Sequence, residues 1–152
     1  MKGTDAKLKS EMILIGAHFD SWHSGTGATD NGANSVVLVE ALRILNAIGY
    51  KPRRTLRMGL WGGEEQAFLG SAAYAKQHFG GLLEKPNKAS KKISAYLNLD
   101  NGAGAIRGLY MQKNELVRPV FESVFTPIEN LTEGALTIEN TLSTDHETFD
   151  HY

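Results

Sequence analysis

Apolar residues recur along this chain with two periods. Met12-Ile13-Leu14-Ile15 is a continuous apolar run and predicts a buried strand over residues 11–17. Leu56, Met58 and Leu60 alternate with Thr55, Arg57 and Gly59, which predicts a second strand over 55–61. A third strand is predicted over 93–99. Between the first two the spacing turns helical. Val36, Val37, Val39, Leu42, Ile44, Leu45 and Ile48 form an apolar face over 35–48, and Gly49 stands where a helix C-terminus favours glycine. A shorter helix over 71–79 carries Ala72, Tyr74, Ala75 and Phe79 and stops at Gly80-Gly81. Further on, the pattern predicts a strand over 107–112 and a helix over 115–125 with Leu116, Val117, Val120, Phe121 and Val124 inward. A short strand over 135–138 follows, then the start of a last helix over 143–149, capped by Ser143 or Thr144. Strands alternating with helices predict an α/β three-layer sandwich around a mostly parallel (mixed) sheet.

Composition narrows the partners. A length of 152 residues suffices for one domain with its own core. Sixteen Lys and Arg against 17 Asp and Glu give a net charge of -1, so no field favours nucleic acid or an anionic membrane. No apolar run approaches the roughly 20 residues of a membrane span, and residues 1–5 do not lead into a signal-peptide core. With no cysteine, disulfides and thiolate metal sites are excluded. Residues 148–152 end in a loop-like stretch without a closing element, so the sequence is expected to be a piece of a longer protein.

Three predicted strands end in the same kind of chemistry. The first delivers His18 and Asp20, with Asp30 in the glycine-rich loop beyond. The second is broken by Gly62-Gly63 and followed by Glu64 and Glu65. The third ends at Asp100. In a parallel sheet these ends share one edge, where ligands bind. An imidazole among carboxylates suits zinc or a similar divalent ion. Asp20 can hold the second imidazole nitrogen, and a carboxylate such as Asp30 can bridge two metals about 3.5–4 Å apart. Of adjacent Glu64 and Glu65, one can ligate while the other takes a proton from water. Taken singly, each has a plainer reading: Asp-Asn-Gly is a turn sequence, and paired glutamates before a helix complement its dipole. Gly25-Thr26-Gly27 lacks the later Gly and Lys-Ser/Thr of a phosphate loop, so nucleotide binding is excluded. His23, His78 and His151 have no evident partner.

The segments AHFDSW (17–22), GATDNGA (27–33), LWGGEEQ (60–66) with LGS (69–71), and NLD (98–100) together resemble the co-catalytic di-zinc exopeptidases, most nearly the carboxypeptidase Q-like branch. The resemblance covers about residues 3–152. It implies that His18 and Asp100 bind one zinc, that Glu65 binds a second, that Asp30 bridges the two, and that the Asp30–Asn31 peptide is cis. It further implies that Glu64 is the general base and then the acid for the leaving amine, with Asp20 behind His18. Ser143-Thr144-Asp145-His146 resembles a segment near the family's substrate. The implied activity is hydrolysis of a terminal peptide bond of a peptide or dipeptide, in an exported (extracellular or periplasmic) protein. The expected domain is a partial zinc-peptidase catalytic domain over 1–152.

One departure stands out. The family's remaining ligand is a histidine in a later His-Thr or His-Ser motif, and His146 and His151 match other positions. The segment alone is therefore expected to bind at most one zinc tightly, to hydrolyse peptides poorly, and to self-associate through uncovered edges. Two other readings remain: a non-catalytic peptidase-like binding domain, and a mono-zinc glutaminyl cyclase-like acyltransferase. Intact His18, Asp30, Glu64, Glu65 and Asp100 weigh against both.

Overall fold

The computed structural model describes residues 1–81 and 83–152, which cluster into two compact units, Met1–Ala103 with Thr144–Tyr152, and Gly104–Ser143.

In the first unit, β1 (Met12–His18) lies between β2 (Thr55–Trp61) and β3 (Ile93–Asn98), and both pairings are parallel. The predicted strand over 55–61 matches β2 residue for residue; the one over 11–17 lies one residue early at both ends, and the one over 93–99 runs one residue long. The α1 helix (Asn34–Ala47) links β1 to β2, and the α2 helix (Leu69–Phe79) links β2 to β3. The two crossovers run across the sheet in opposite directions. With the right-handed sense that governs such connections, they place α1 and α2 on opposite faces, the layering expected from the sequence. β1 is therefore the strand at which the winding reverses, and ligands bind beyond the carboxyl ends of strands at such a point.

Side chains of β1 alternate. Met12 and Leu14 enter a core with Trp61, Ala75, Phe79 and Phe149. Phe149 comes from the returning segment, and its ring centroid lies 4.3 Å from that of Tyr96 and 5.8 Å from that of Trp61. α1 packs on β1, with Leu38, Leu42 and Leu45 half-buried, whereas Val36, Val37, Val39, Ile44 and Ile48 are exposed. Its apolar surface is thus wider than the single stripe one sheet face covers. The outer edge of β2 is paired in part: the Met1 ammonium donates to Leu56 O at 2.7 Å, and Leu56 N–H donates to Met1 O at 3.0 Å.

The second unit pairs β4 (Gly108–Tyr110) in parallel with β5 (Ala135–Thr137) and carries α3 (Arg118–Phe125). The predicted inward face of that helix is corrected. Leu116 is 89% exposed and Val120 60%, while the half-buried positions are Val117, Phe121 and Phe125. Residues 117, 121 and 125 form one stripe at helical spacing, and 116, 120 and 124 form the neighbouring one, which is exposed (Val124 53%); Leu116 also lies in a 3₁₀ turn, Glu115–Val117, ahead of the helix. The predicted last helix is a single 3₁₀ turn, Asp145–Thr148, and Thr144 does not cap it. The Thr144 hydroxyl is engaged elsewhere, as described below. Among the described residues no helix is long and apolar enough to cross a membrane.

Candidate metal centre

His18 closes β1 and is fully buried. Ser35, in the first turn of α1, donates its hydroxyl to His18 O at 2.7 Å. His18 Nδ1 lies 3.2 Å from the main-chain O of Asp20 and 3.4 Å from its Oδ1. The Asp20 carboxylate also accepts the N–H groups of Glu64 (3.1 Å) and Glu65 (3.3 Å). Asp20 thereby splints the loop after β1 to the loop after β2. With Nδ1 occupied by Asp20 oxygens, the other ring nitrogen is the free one. It lies 3.2 Å from Asp30 Oδ1, 3.2 Å from Asp100 Oδ1 and 3.9 Å from Glu64 Oε2.

The neighbouring loops are tied together by residues the sequence reading passed over. Asp30 sits in an irregular helical turn, Ala28–Ala33, and the Asp30–Asn31 peptide is cis, as the resemblance implied. Asn31 is buried and donates to Leu99 O at 3.1 Å. Asn34 donates to Asp100 O (3.2 Å) and Gly102 O (3.1 Å). Asn31, Asn34 and Ser35 thus lock the Asp30 turn onto the Asp100 loop and His18. Their only sequence signal was three small polar residues at the mouth of an apolar helix, which reads equally well as a turn and cap.

The electrostatics follow from crowding acids around one imidazole. Burial opposes charge on His18, but the hydrogen bond and charge of Asp100, with Glu64 and Asp20, outweigh it and raise its pKa to about 9. Burial also opposes the Asp100 anion, yet His18 and a hydrogen bond from Thr144 hold its carboxyl below the usual range. Burial first, then the charges of Asp100, Asp145 and Glu65, push Glu64 up to about 7 against the pull of His18. Burial and Asp30 raise Glu65 as well. Asp145, also buried, rises to about 6, although Ser71 Oγ donates to its Oδ1 at 2.5 Å.

The donor set fits a divalent cation. Two groups, His18–Glu64–Asp100 and His18–Asp30–Glu65, each place one nitrogen and two carboxylate oxygens within 4.8 Å of one another. Glu65 Oε1 is buried with no hydrogen-bond partner, the condition of an anionic oxygen whose partner would be a cation. Nitrogen and oxygen donors without sulfur suit zinc and its neighbours. A cavity of about 230 Å³ opens beside this cluster, walled by Ser21, Trp22, the glycine-rich loop 25–29, Asp30 and Glu65.

A pH dependence follows. The folded, metal-free protein binds more protons than the unfolded chain at His18, Glu64 and Asp145. Stability falls with pH wherever the native state holds the extra protons. The His18 contribution is complete below its ordinary value and gone above about 9; that of Glu64 is lost by about 7 and that of Asp145 by about 6. The thermal midpoint of the metal-free protein, followed by circular dichroism, is expected to drop steadily from pH 5 to about pH 9.5. A midpoint that rises over that range would contradict these assignments.

Comparison with known proteins agrees with this geometry. A family model described as Peptidase family M28 matches residues 1–152. Carboxypeptidase Q from Bos taurus is 33% identical over 132 residues, covering 86% of this chain and 26% of that protein. Leupeptin-inactivating enzyme 1 from Streptomyces exfoliatus is 32% identical over 133 residues, covering 82% of this chain and 28% of that protein. A crystal structure of a Peptidase M28 precursor from Shewanella amazonensis SB2B superposes with a TM-score of 0.80 at 28% identity, covering 99% of this chain and 32% of that one. The chain therefore spans about a quarter to a third of the length of these relatives.

Proposed function

The chain belongs to peptidase family M28, and on that premise we propose that the protein is a zinc-dependent exopeptidase that hydrolyses a terminal peptide bond of a peptide or dipeptide. The observation that carries this reading is the approach of Asp30 Oδ1 and Asp100 Oδ1 to His18 Nε2, at 3.2 Å each, with Glu64 alongside. In this reading His18, Asp100 and Asp30 would hold one zinc, and Asp30 and Glu65 would contribute to a second. Bound zinc supplies a Lewis acid for the scissile carbonyl and lowers the pKa of the attacking water.

The remaining work falls to the chain itself. The Glu64 carboxylate, buried 3.9 Å from His18 Nε2, is placed to move a proton: its oxygen takes the proton of the attacking water and returns it to the leaving amine nitrogen. Asp20 keeps the His18 ring oriented and fixes the backbone of Glu64 and Glu65. The cavity beside Asp30 and Glu65 receives the terminal residue of the substrate. A role in binding alone leaves a buried Glu64 carboxylate without a use.

The test is zinc titration of the metal-free full-length protein by calorimetry, paired with hydrolysis of a panel of dipeptides, aminoacyl amides and N-blocked peptides. Turnover should vanish with a chelator and return with zinc. Substrates that need a free amine mark an aminopeptidase, and those that need a free carboxylate mark a carboxypeptidase. Zinc binding without turnover of any panel member would favour the binding-domain reading.

A further inference from the structure

We propose that Trp61, Tyr96, Asn98 and Thr144 form a one-way hydrogen-bond relay that orients Asp100 toward the metal, with Gly16 keeping its path open; this rests on the reading of Asp100 as a ligand. Trp61 closes β2, Tyr96 and Asn98 stand two apart on the same face of β3, and Thr144 begins the returning segment. Trp61 Nε1–H donates to the Tyr96 hydroxyl at 2.9 Å, which donates to Asn98 Oδ1 at 2.6 Å. Asn98 Nδ2 donates to Thr144 Oγ1 at 2.6 Å, and the Thr144 hydroxyl donates to Asp100.

The direction is dictated by chemistry. An indole N–H can only donate, so the phenol accepts from it and has its own proton to pass on. Asn98 then accepts at oxygen and donates at nitrogen, which leaves Thr144 one proton, and that proton faces Asp100. Burial raises the Tyr96 phenol far above its ordinary pKa, so it stays a donor at any working pH. Hydrogen bonds aligned in one sense polarise one another and strengthen the last donor. The last donor here falls on the carboxylate whose Oδ1 faces His18 Nε2.

The backbone is cut to fit this path. Gly16 of β1 is in register with Gly59 on one side and Asn98 on the other. A Cβ at Gly16 would lie 2.2 Å from the Tyr96 hydroxyl oxygen and 2.6 Å from Trp61 Nε1, and one at Gly59 would lie 2.2 Å from Trp61 Cζ2. The side chains of the two outer strands therefore meet over the central strand only because it carries hydrogen there. Glycine inside a strand costs stability, and close approach of this kind is what it permits.

The relay is tested on metal binding rather than on turnover. Tyr96→Phe, Thr144→Val and Thr144→Ser are titrated with zinc alone in calorimetry, beside the wild type, and the thermal midpoint of each metal-free variant is measured. Losing an outer hydrogen-bond partner of a ligand costs about 10–100-fold in metal affinity, so Thr144→Val should fall in that range. Tyr96→Phe touches neither Asp100 nor the metal and should also weaken zinc about tenfold. Thr144→Ser, which keeps the hydroxyl, should bind within about threefold of wild type, small against that same 10–100-fold loss. A Tyr96→Phe protein with a lowered midpoint but unchanged zinc affinity would reduce Tyr96 to a core residue and overturn the relay. Equal zinc affinity across all three variants would overturn it too. Failure of the wild type to bind zinc would instead remove the metal reading, and the relay with it.

Discussion

Glu64→Gln should lower kcat by about 10²–10⁴-fold, the range a positioned acid–base group contributes, while zinc binding is retained. The two side chains have nearly the same shape, so the carboxyl's buried place beside the cluster, 3.9 Å from His18 Nε2, can be refilled. What the amide cannot do is take a proton from water or return one to an amine. In the metal-free protein burial and the charges of Asp100, Asp145 and Glu65 push its carboxyl up, against the pull of His18, and a bound divalent ion would pull it back down. Any limb of the wild-type pH–rate profile that belongs to Glu64 should be missing from the residual activity of the variant. Activity within about tenfold of wild type, set against that 10²–10⁴ range, with zinc bound, would take the base role from Glu64.

Much of this centre is visible before any coordinates, because its donors follow strand ends. A continuous apolar run such as 12–15 and a clean alternation such as 55–61 are period-two signals, and a parallel sheet aligns their C-terminal ends without further information. That is why His18, Glu64, Glu65 and Asp100 could be placed on one edge from spacing alone. Thr144 shows the limit. At the start of a predicted helix it reads as a cap, and nothing local says that its hydroxyl faces Asn98 and Asp100. Tyr96 and Trp61 read as core aromatics, which they are, but their hydrogen bond depends on a glycine 80 positions from Tyr96. Asn31 and Asn34 spend their amides on carbonyls nearly 70 residues away. Long-range polar pairing has no period, so pattern reading cannot recover it. The α3 face failed for the opposite reason: its apolar residues fill two adjacent helical stripes, and only the one through 117, 121 and 125 is half-buried.

His18→Ala should do the most damage to the metal-free protein as well as to zinc binding. Among the described residues His18 is the one nitrogen donor of these groups, and it belongs to both. Without it each group offers carboxylates only, a poorer set for zinc, and affinity should fall by more than about 100-fold, the upper end of what loss of a mere outer-shell partner costs. Before any metal arrives, the protonated imidazole is also the local counter-charge, raised to about 9 by the acids it faces. Its removal leaves half-buried Asp100 and buried Glu64 without their counter-charge, and breaking a buried ion pair from one side costs about 3–5 kcal/mol. The framework should survive, because Ser35 bonds the main-chain oxygen of residue 18 and Asp20 still holds the Glu64 and Glu65 amides. The loss is therefore electrostatic, and it carries a pH signature. The imidazole's contribution is complete below its ordinary value and fades as pH rises through about 9, so the stability gap should be widest near pH 6. As pH rises toward 9 the wild type gives up the extra proton, and the gap should narrow. Urea unfolding near pH 6 and near pH 9, with and without a chelator, would measure it. Equal stability of the two metal-free proteins near pH 6 would show that His18 is no counter-charge. Zinc affinity kept within about tenfold, well short of a lost ligand, would show that the metal takes its nitrogen from elsewhere.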